Sequence, residues 1–216
     1  MPNDSQQSAI LISVAGPIGA GKTTLAGKLA LALSAKLLEE DISGNELLAA
    51  FYKDPQQYSL PVQCQFLLSR FSQLRADSWP SEGLVITDYA FDKDPLFAAL
   101  NLQGSQLQIY RGLWQAVKDL VRPPDLVLYL QADPELLLQR IQQRNRSFER
   151  GITREYLQQV VDGYQAMMAK YETFPVLRVT SASEPARNRN SWSSLARQLA
   201  SALPALAWKF PDAPPG

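Results

Sequence analysis

Histidine is missing from this chain altogether, and its 216 residues contain a single cysteine, Cys64. The first absence removes the commonest general base near neutral pH and the commonest zinc ligand. Whatever chemistry the protein performs must run on carboxylates, guanidiniums, lysines and bound small molecules. The second absence excludes an intramolecular disulfide and suits a reducing compartment. Cys64 lies in an apolar helical stretch, where it reads as a small buried hydrophobe and not a nucleophile. Acidic and basic side chains number 21 each, with no basic block, so a nucleic-acid polyanion is not the partner expected. No apolar run approaches the roughly 20 residues of a membrane-spanning helix. The polar octapeptide 1–8 lacks the basic flank and apolar centre of a signal peptide. These features predict a cytoplasmic protein whose partners are small molecules, neither nucleic acid nor membrane.

Apolar residues make up 46% of the chain and charged ones 19%, a balance that can bury one large core at this length. One domain over 9–202 is expected, between a flexible N-terminus, 1–8, and an irregular tail, 203–216, that holds four prolines. Short β-rich runs at 10–15, 36–38, 84–87, 126–130 and 176–179 alternate with helical patterns. The helical patterns cover 24–34, 60–79, a run opening at Asp133, 154–171 and 191–202. Such alternation predicts an α/β fold, a five-stranded parallel sheet covered by helices on both faces. The run 126–130 is almost continuously apolar, as a strand buried on both faces should be. Pro61 suits the first turn of the 60–79 helix. Asp133-Pro134-Glu135 combines an N-cap, a first-turn proline and an acid facing the helix dipole.

Residues 16–23 read Gly-Pro-Ile-Gly-Ala-Gly-Lys-Thr and match G-x-x-x-x-G-K-[ST] between an expected strand and an expected helix. That context gives the motif its mechanism. Glycines let successive backbone N–H groups turn inward around a phosphate, and the helix N-terminus adds partial positive charge. Gly16, Gly19, Ala20, Gly21, Lys22, Thr23 and Thr24 are therefore the expected nucleotide-binding set, with Lys22 on the terminal phosphates and Thr23 on Mg²⁺. ATP and Mg²⁺ are the cofactors this motif implies.

Other residues cluster around the same chemistry. Gln63 and Arg70 stand seven apart and return to nearly one azimuth of a helix, aimed at a planar hydrogen-bonding ligand or simply solvated on an exposed face. Asp88 follows the run 84–87 at its carboxyl end, where it can hold Mg²⁺ through water or serve as a turn residue. Arg140, Arg144, Arg146 and Arg150 crowd within eleven residues, as an arginine-rich lid or a solvated helix end. Glu39 and Glu40 end the second strand, and one of them can accept the proton of an attacking hydroxyl.

Taken in order, the residues resemble the bacterial deoxynucleoside kinases over nearly the whole chain, in particular the deoxyadenosine and deoxyguanosine kinases. The carrying features are the loop 16–23, Glu40, residues 51–55, Gln63 through Phe71, Asp88, Lys93-Asp94, Arg140, Arg144 with Arg146, and residues 149–152. The resemblance implies a three-layer P-loop kinase fold with an arginine-rich lid, forming a homodimer. It implies transfer of the γ-phosphoryl of ATP to the 5′-hydroxyl of a deoxynucleoside, with Glu40 as the base. Tyr52 and Glu149 would hold the sugar 3′-hydroxyl, and Gln63, Arg70 and Asp94 would read the base. Arg140, Arg144 and Arg146 would stabilise the transferring phosphoryl. Many relatives carry an arginine and a Ser/Thr after the acid at position 88, where this chain has Tyr89-Ala90, and a proline where Asp41 follows Glu40.

Two other readings share the phosphate loop. A monophosphate kinase of the thymidylate type should carry an arginine where this chain has Tyr52 and Glu149. A nucleotide-dependent switch fits Asp41-Ile42-Ser43-Gly44 as D-x-x-G, yet no N-K-x-D guanine-reading motif occurs.

Overall fold

The apolar runs pair edge to edge as β1 (Ile10–Ala15), β2 (Lys36–Leu38), β3 (Leu84–Thr87), β4 (Leu126–Gln131) and β5 (Val176–Thr180). All pairings are parallel, in the order β2-β3-β1-β4-β5. The computed structural model describes residues 9–42, 46–146, 149–171 and 175–181, with Leu195, 197–199 and 201–203. Helices α1 (Lys22–Leu33), α2 (Leu48–Lys53), α3 (Pro55–Leu74), α4 (Lys93–Asn101), α5 (Gly104–Val117), α6 (Pro134–Arg144) and α7 (Arg154–Ala169) cover the sheet.

Alternation along β1 divides the core in two. Ile12 and Val14 join Leu25, Leu29 and Leu33 of α1 with Leu137 and Ile141 of α6. Leu11 faces the other way, onto Leu67 and Leu74 of α3 and Tyr110 of α5. Ala15, Val127 and Tyr129 meet Val160 and Tyr164 of α7. Both faces are therefore covered, which is why 126–130 reads as continuously apolar.

Register brings the site together. Thr87 lies opposite both Ser13 of β1 and Leu38 of β2, so these strands finish nearly level. The residues that leave them, Gly16, Glu39-Glu40 and Asp88, therefore emerge side by side at the carboxyl edge. With β3 on one side of β1 and β4 on the other, this is the switch point where doubly wound sheets bind ligands. Gly16 is required here: its φ is +149°, and a Cβ would lie 2.7 Å from the Leu130 carbonyl oxygen.

Several element bounds differ from expectation. The helix expected over 60–79 is Pro55–Leu74, started by Asp54, whose Oδ1 accepts from the Gln57 N–H at 3.2 Å. Pro61 lies inside it, where its ring nitrogen has no hydrogen to donate four residues back. Asp133 precedes Pro134 of α6 as expected but accepts no capping bond, while Glu135 pairs with Arg154 Nε at 2.5 Å. α1 begins at Lys22, so Lys22 and Thr23 both stand on its first turn. Helices α2, α4 and α5 were not expected: α2 has only six residues, Pro95 interrupts α4, and Gly104 and Gly112 interrupt α5. The described positions within 191–202 are helical; residues 1–8 and 204–216 lie outside the described residues. No described helix is long and apolar enough to cross a membrane.

Gly16→Ala should cost on the order of 1–3 kcal/mol in urea unfolding, because the backbone there is strained for any other residue. Gly27→Ala, inside α1 with nothing within 4 Å of an added Cβ, should instead gain about 0.5–1 kcal/mol. Equal stability of the two variants would show that the loop does not need its close approach to β4.

Candidate active site

The phosphate loop ends where Gly21, at φ +93°, opens α1 without a side-chain cap, leaving first-turn N–H groups turned to the loop. The Lys22 ammonium folds back onto the Pro17 carbonyl at 2.9 Å. Burial, reinforced by the charge of Lys93, pushes Lys22 down to about 8, against the pull of Glu40 and Asp88. The Thr23 hydroxyl donates to Asp88 Oδ2 at 2.5 Å, and the Glu40 backbone N–H donates to Oδ1 at 2.7 Å. Asp88 thus ties the chain leaving β1 and the chain leaving β2 to the end of β3. The cap of α4 is Asp92, so Asp88 is not a helix cap.

Beside this lies a buried cluster of charges. Glu40 Oε1 accepts from Arg70 Nε at 2.8 Å, from Arg70 Nη2, and from Lys93 Nζ at 2.6 Å. Arg70 Nη1 also donates to Asp94 Oδ1. Two carboxylates and two cations share one buried cluster, so each ion has an opposite partner, without which its burial would be strongly destabilising. Burial alone would raise Glu40, but the charges and hydrogen bonds of Arg70 and Lys93 hold it well below the usual carboxylate range. Asp94 is the opposite case: burial pushes it up to about 6 despite Arg70 and Lys93. Its Oδ2 is buried with no hydrogen-bond partner among the described residues. The Arg70 guanidinium stacks 4.9 Å from the Phe66 ring centroid.

At the lid, Arg144 forks onto Glu149, Nε to Oε2 at 2.7 Å and Nη2 to Oε1 at 2.5 Å. Arg146 Nη1 stands 4.0 Å from the same carboxylate. The Tyr52 phenol is pushed up by burial, with Tyr156 and Glu149 adding to the shift. Arg140 serves the loop. It donates to Ser181 Oγ at 2.5 Å and to the Ser181 carbonyl at 3.1 Å, while Ser181 Oγ donates to the Ala20 carbonyl at 2.6 Å.

A cavity of about 430 Å³ joins these parts, lined by Lys22 and Thr23 of the phosphate loop and by Gln63 and Arg70 of α3. That is room for a small ligand meeting a phosphate donor. A family model described as deoxynucleoside kinase matches residues 12–203. The chain belongs to the deoxynucleoside kinase family. It is 35% identical over 174 residues to deoxyadenosine kinase of Dictyostelium discoideum, covering 78% of this chain and 71% of that one. It is 34% identical over 176 residues to deoxyguanosine kinase of Bacillus subtilis, covering 80% and 85%. A solved deoxyadenosine kinase from M. mycoides, with products dCMP and a flexible dCDP bound, has the same fold: TM-score 0.77 at 22% identity, over 89% of this chain and 99% of that one. The protein is an ATP-dependent phosphotransferase that acts on deoxynucleosides.

Most of the residues expected from the sequence meet in this kinase's cavity: Gly19, Gly21, Lys22, Thr23, Thr24, Glu40, Tyr52, Gln63, Arg70, Asp88, Arg144, Arg146 and Glu149 all line it. Gln63 and Arg70 are buried, which excludes the solvated alternative. Asp94 joins through Arg70, and Gly16 and Ala20 are buried behind the loop. Arg140 does not line the cavity. Glu39 stays outside as well, its carbonyl accepting from Gln73 Nε2 at 3.1 Å. Sequence reasoning missed Lys93, Phe66, Phe97, Asn101 and Tyr156 as lining residues. Lys93, Phe97 and Asn101 stand at four-residue steps on α4, a signal that was hidden because this helix was not expected. Tyr89 is wholly buried, its hydroxyl donating to Gln73 Oε1 at 2.5 Å.

Gln63→Leu should raise the nucleoside KM with kcat unchanged. Arg70→Met should raise that KM and also lower kcat, each effect on the order of 1–3 kcal/mol, because Arg70 also grips Glu40. Both variants should keep the wild-type KM for ATP in steady-state assays. An Arg70→Met enzyme of normal kcat would show that the Arg70–Glu40 contact plays no part in turnover.

Proposed function

We propose that the acceptor is the 5′-hydroxyl of a free deoxynucleoside, a purine deoxynucleoside first, and that Glu40 takes its proton. The observation that carries this is an ionised carboxylate facing the same cavity as the phosphate-loop lysine. The hydroxyl oxygen bonds to the γ-phosphorus while its proton passes to Glu40. The bond from that phosphorus to the bridging oxygen breaks, and ADP leaves. A carboxylate held so strongly ionised is a weak base. It suffices because phosphoryl transfer goes through a loose transition state in which positioning and charge neutralisation dominate.

Lys22, Arg144 and Arg146 bring positive charge to the transferring group, while Arg140 steadies the loop through Ser181. The Thr23 hydroxyl and Asp88 carboxylate are hard oxygens already in contact, which fits Mg²⁺ bound directly by Thr23 and through water by Asp88. Bound there, the ion neutralises charge on the β- and γ-phosphates. Tyr52 and Glu149 hold the 3′-hydroxyl. Three of Arg70's five N–H donors are spent on Glu40 and Asp94, so two remain, and Asp94 Oδ2 accepts from no group among the described residues. With Gln63, that edge suits adenine or guanine, then cytosine, and thymine least.

A monophosphate acceptor is disfavoured, because its phosphate would meet the carboxylates of Glu40 and Glu149. Residues 9–202 act as one kinase domain in the cytoplasm. Leu68 of α3 with Ile109 and Leu113 of α5 expose apolar side chains on helices that pack together, which supports a homodimer.

Glu40→Gln keeps size and hydrogen bonding but deletes the proton acceptor, so kcat should fall by about 10²–10⁴. Deoxynucleoside binding, followed by calorimetry, should change little. Glu39→Gln should remain near wild type. If neither variant loses turnover, no carboxylate after β2 takes the proton.

A further inference from the structure

Lys93 has no part in the assignments above, yet it is among the most enclosed charges in the molecule, its side chain 6% exposed. We propose that Lys93 is the positioning residue for Glu40: from α4 it fixes the carboxylate against which the 5′-hydroxyl is deprotonated. This rests on the reading of Glu40 as proton acceptor.

Three observations carry it. The ammonium lies 2.6 Å from Oε1, the oxygen that Arg70 also holds, so the carboxylate is gripped from α4 and from α3 at once. Donors on two elements restrict the carboxylate's rotation, which donors on one long side chain do less well. Second, Arg70 is divided between Glu40 and Asp94, whereas Lys93 directs its hydrogen bond and its ion pair to Glu40. A base edge that draws on Arg70's remaining donors would leave Lys93 as the steady partner. Third, the ammonium is walled by aromatic faces, 5.9 Å from the ring centroids of both Tyr89 and Phe97. Those faces favour a cation where solvent cannot.

Among the described residues, Lys93 is the cation in contact with Glu40 that follows β3 in the chain, as Arg70 comes from α3. Tyr89, next to Asp88, is neutral, and its hydroxyl is engaged by Gln73. Lys93 also lines the cavity that the phosphate-loop residues Lys22 and Thr23 line. Removing it would leave two carboxylates, Glu40 and Asp94, to share one guanidinium.

The test is a double-mutant cycle on the full-length enzyme. Lys93→Met should lower kcat about tenfold to hundredfold, part of the full general-base effect, with both KM values near wild type. Lys93→Arg should restore most of the rate, since it keeps a charged donor. In a Glu40→Gln background, Lys93→Met should cost little more, because the group it positions is gone. Equal losses in both backgrounds would mean that Lys93 acts on the phosphoryl group itself and would overturn the proposal, as would an unchanged kcat. If Lys93→Met does not fold, Lys93→Gln, a neutral donor, replaces it in the same cycle. A Glu40→Gln enzyme as fast as wild type would remove the Glu40 reading itself, an outcome the first leg of the cycle reports separately.

Discussion

Glu40 is held ionised, inside the protein, by Arg70 and Lys93, and the rest of the site is arranged around that grip. A buried carboxylate with one cation removed would be strongly destabilised. Its two partners must therefore arrive together, one from α3 and one from α4. Asp94 completes the cluster by holding the far end of Arg70. One guanidinium thus links the proposed proton acceptor, Glu40, to Asp94 of the proposed base-reading set.

The cluster stands where it does because three parallel strands finish nearly level. Asp88, at the end of β3, accepts from Thr23 of the phosphate loop and from the backbone of Glu40. The donor side and the acceptor side of the cavity are thus joined through one carboxylate. Glu149, which also lines the cavity, is forked by Arg144, so the proposed sugar contact and a proposed phosphoryl contact are partners with no ligand bound.

Much of this was legible in the sequence. Every strand was visible because apolar runs flanked by breakers have few other readings, and the phosphate loop carries its own geometry. Glu40 and Asp88 were legible because they follow strand ends, Gln63 and Arg70 because they share one helix face, and Glu149 only through the family resemblance. What stayed hidden was tertiary. Helix α4 has only nine residues and contains Pro95 near its start, so Lys93 read as a bystander to Asp94. Arg140 looked like its lid neighbours in spacing, but its partner, Ser181, lies 41 residues away. Pro61 suggested a helix start because proline is common there, while Asp54-Pro55 seven residues earlier was the true signal.

The central claim is that two carboxylates in this cavity demand a free hydroxyl, not a phosphate ester, as the acceptor. Transfer of label from γ-³²P ATP to the four deoxynucleosides and to dTMP, resolved by chromatography, tests it most directly. The account predicts labelled nucleoside 5′-monophosphates, from deoxyadenosine or deoxyguanosine first, deoxycytidine next and thymidine last, with dTMP left unlabelled. Label appearing in dTDP while the nucleosides stay unmodified, or thymidine emerging as the best acceptor, would contradict it.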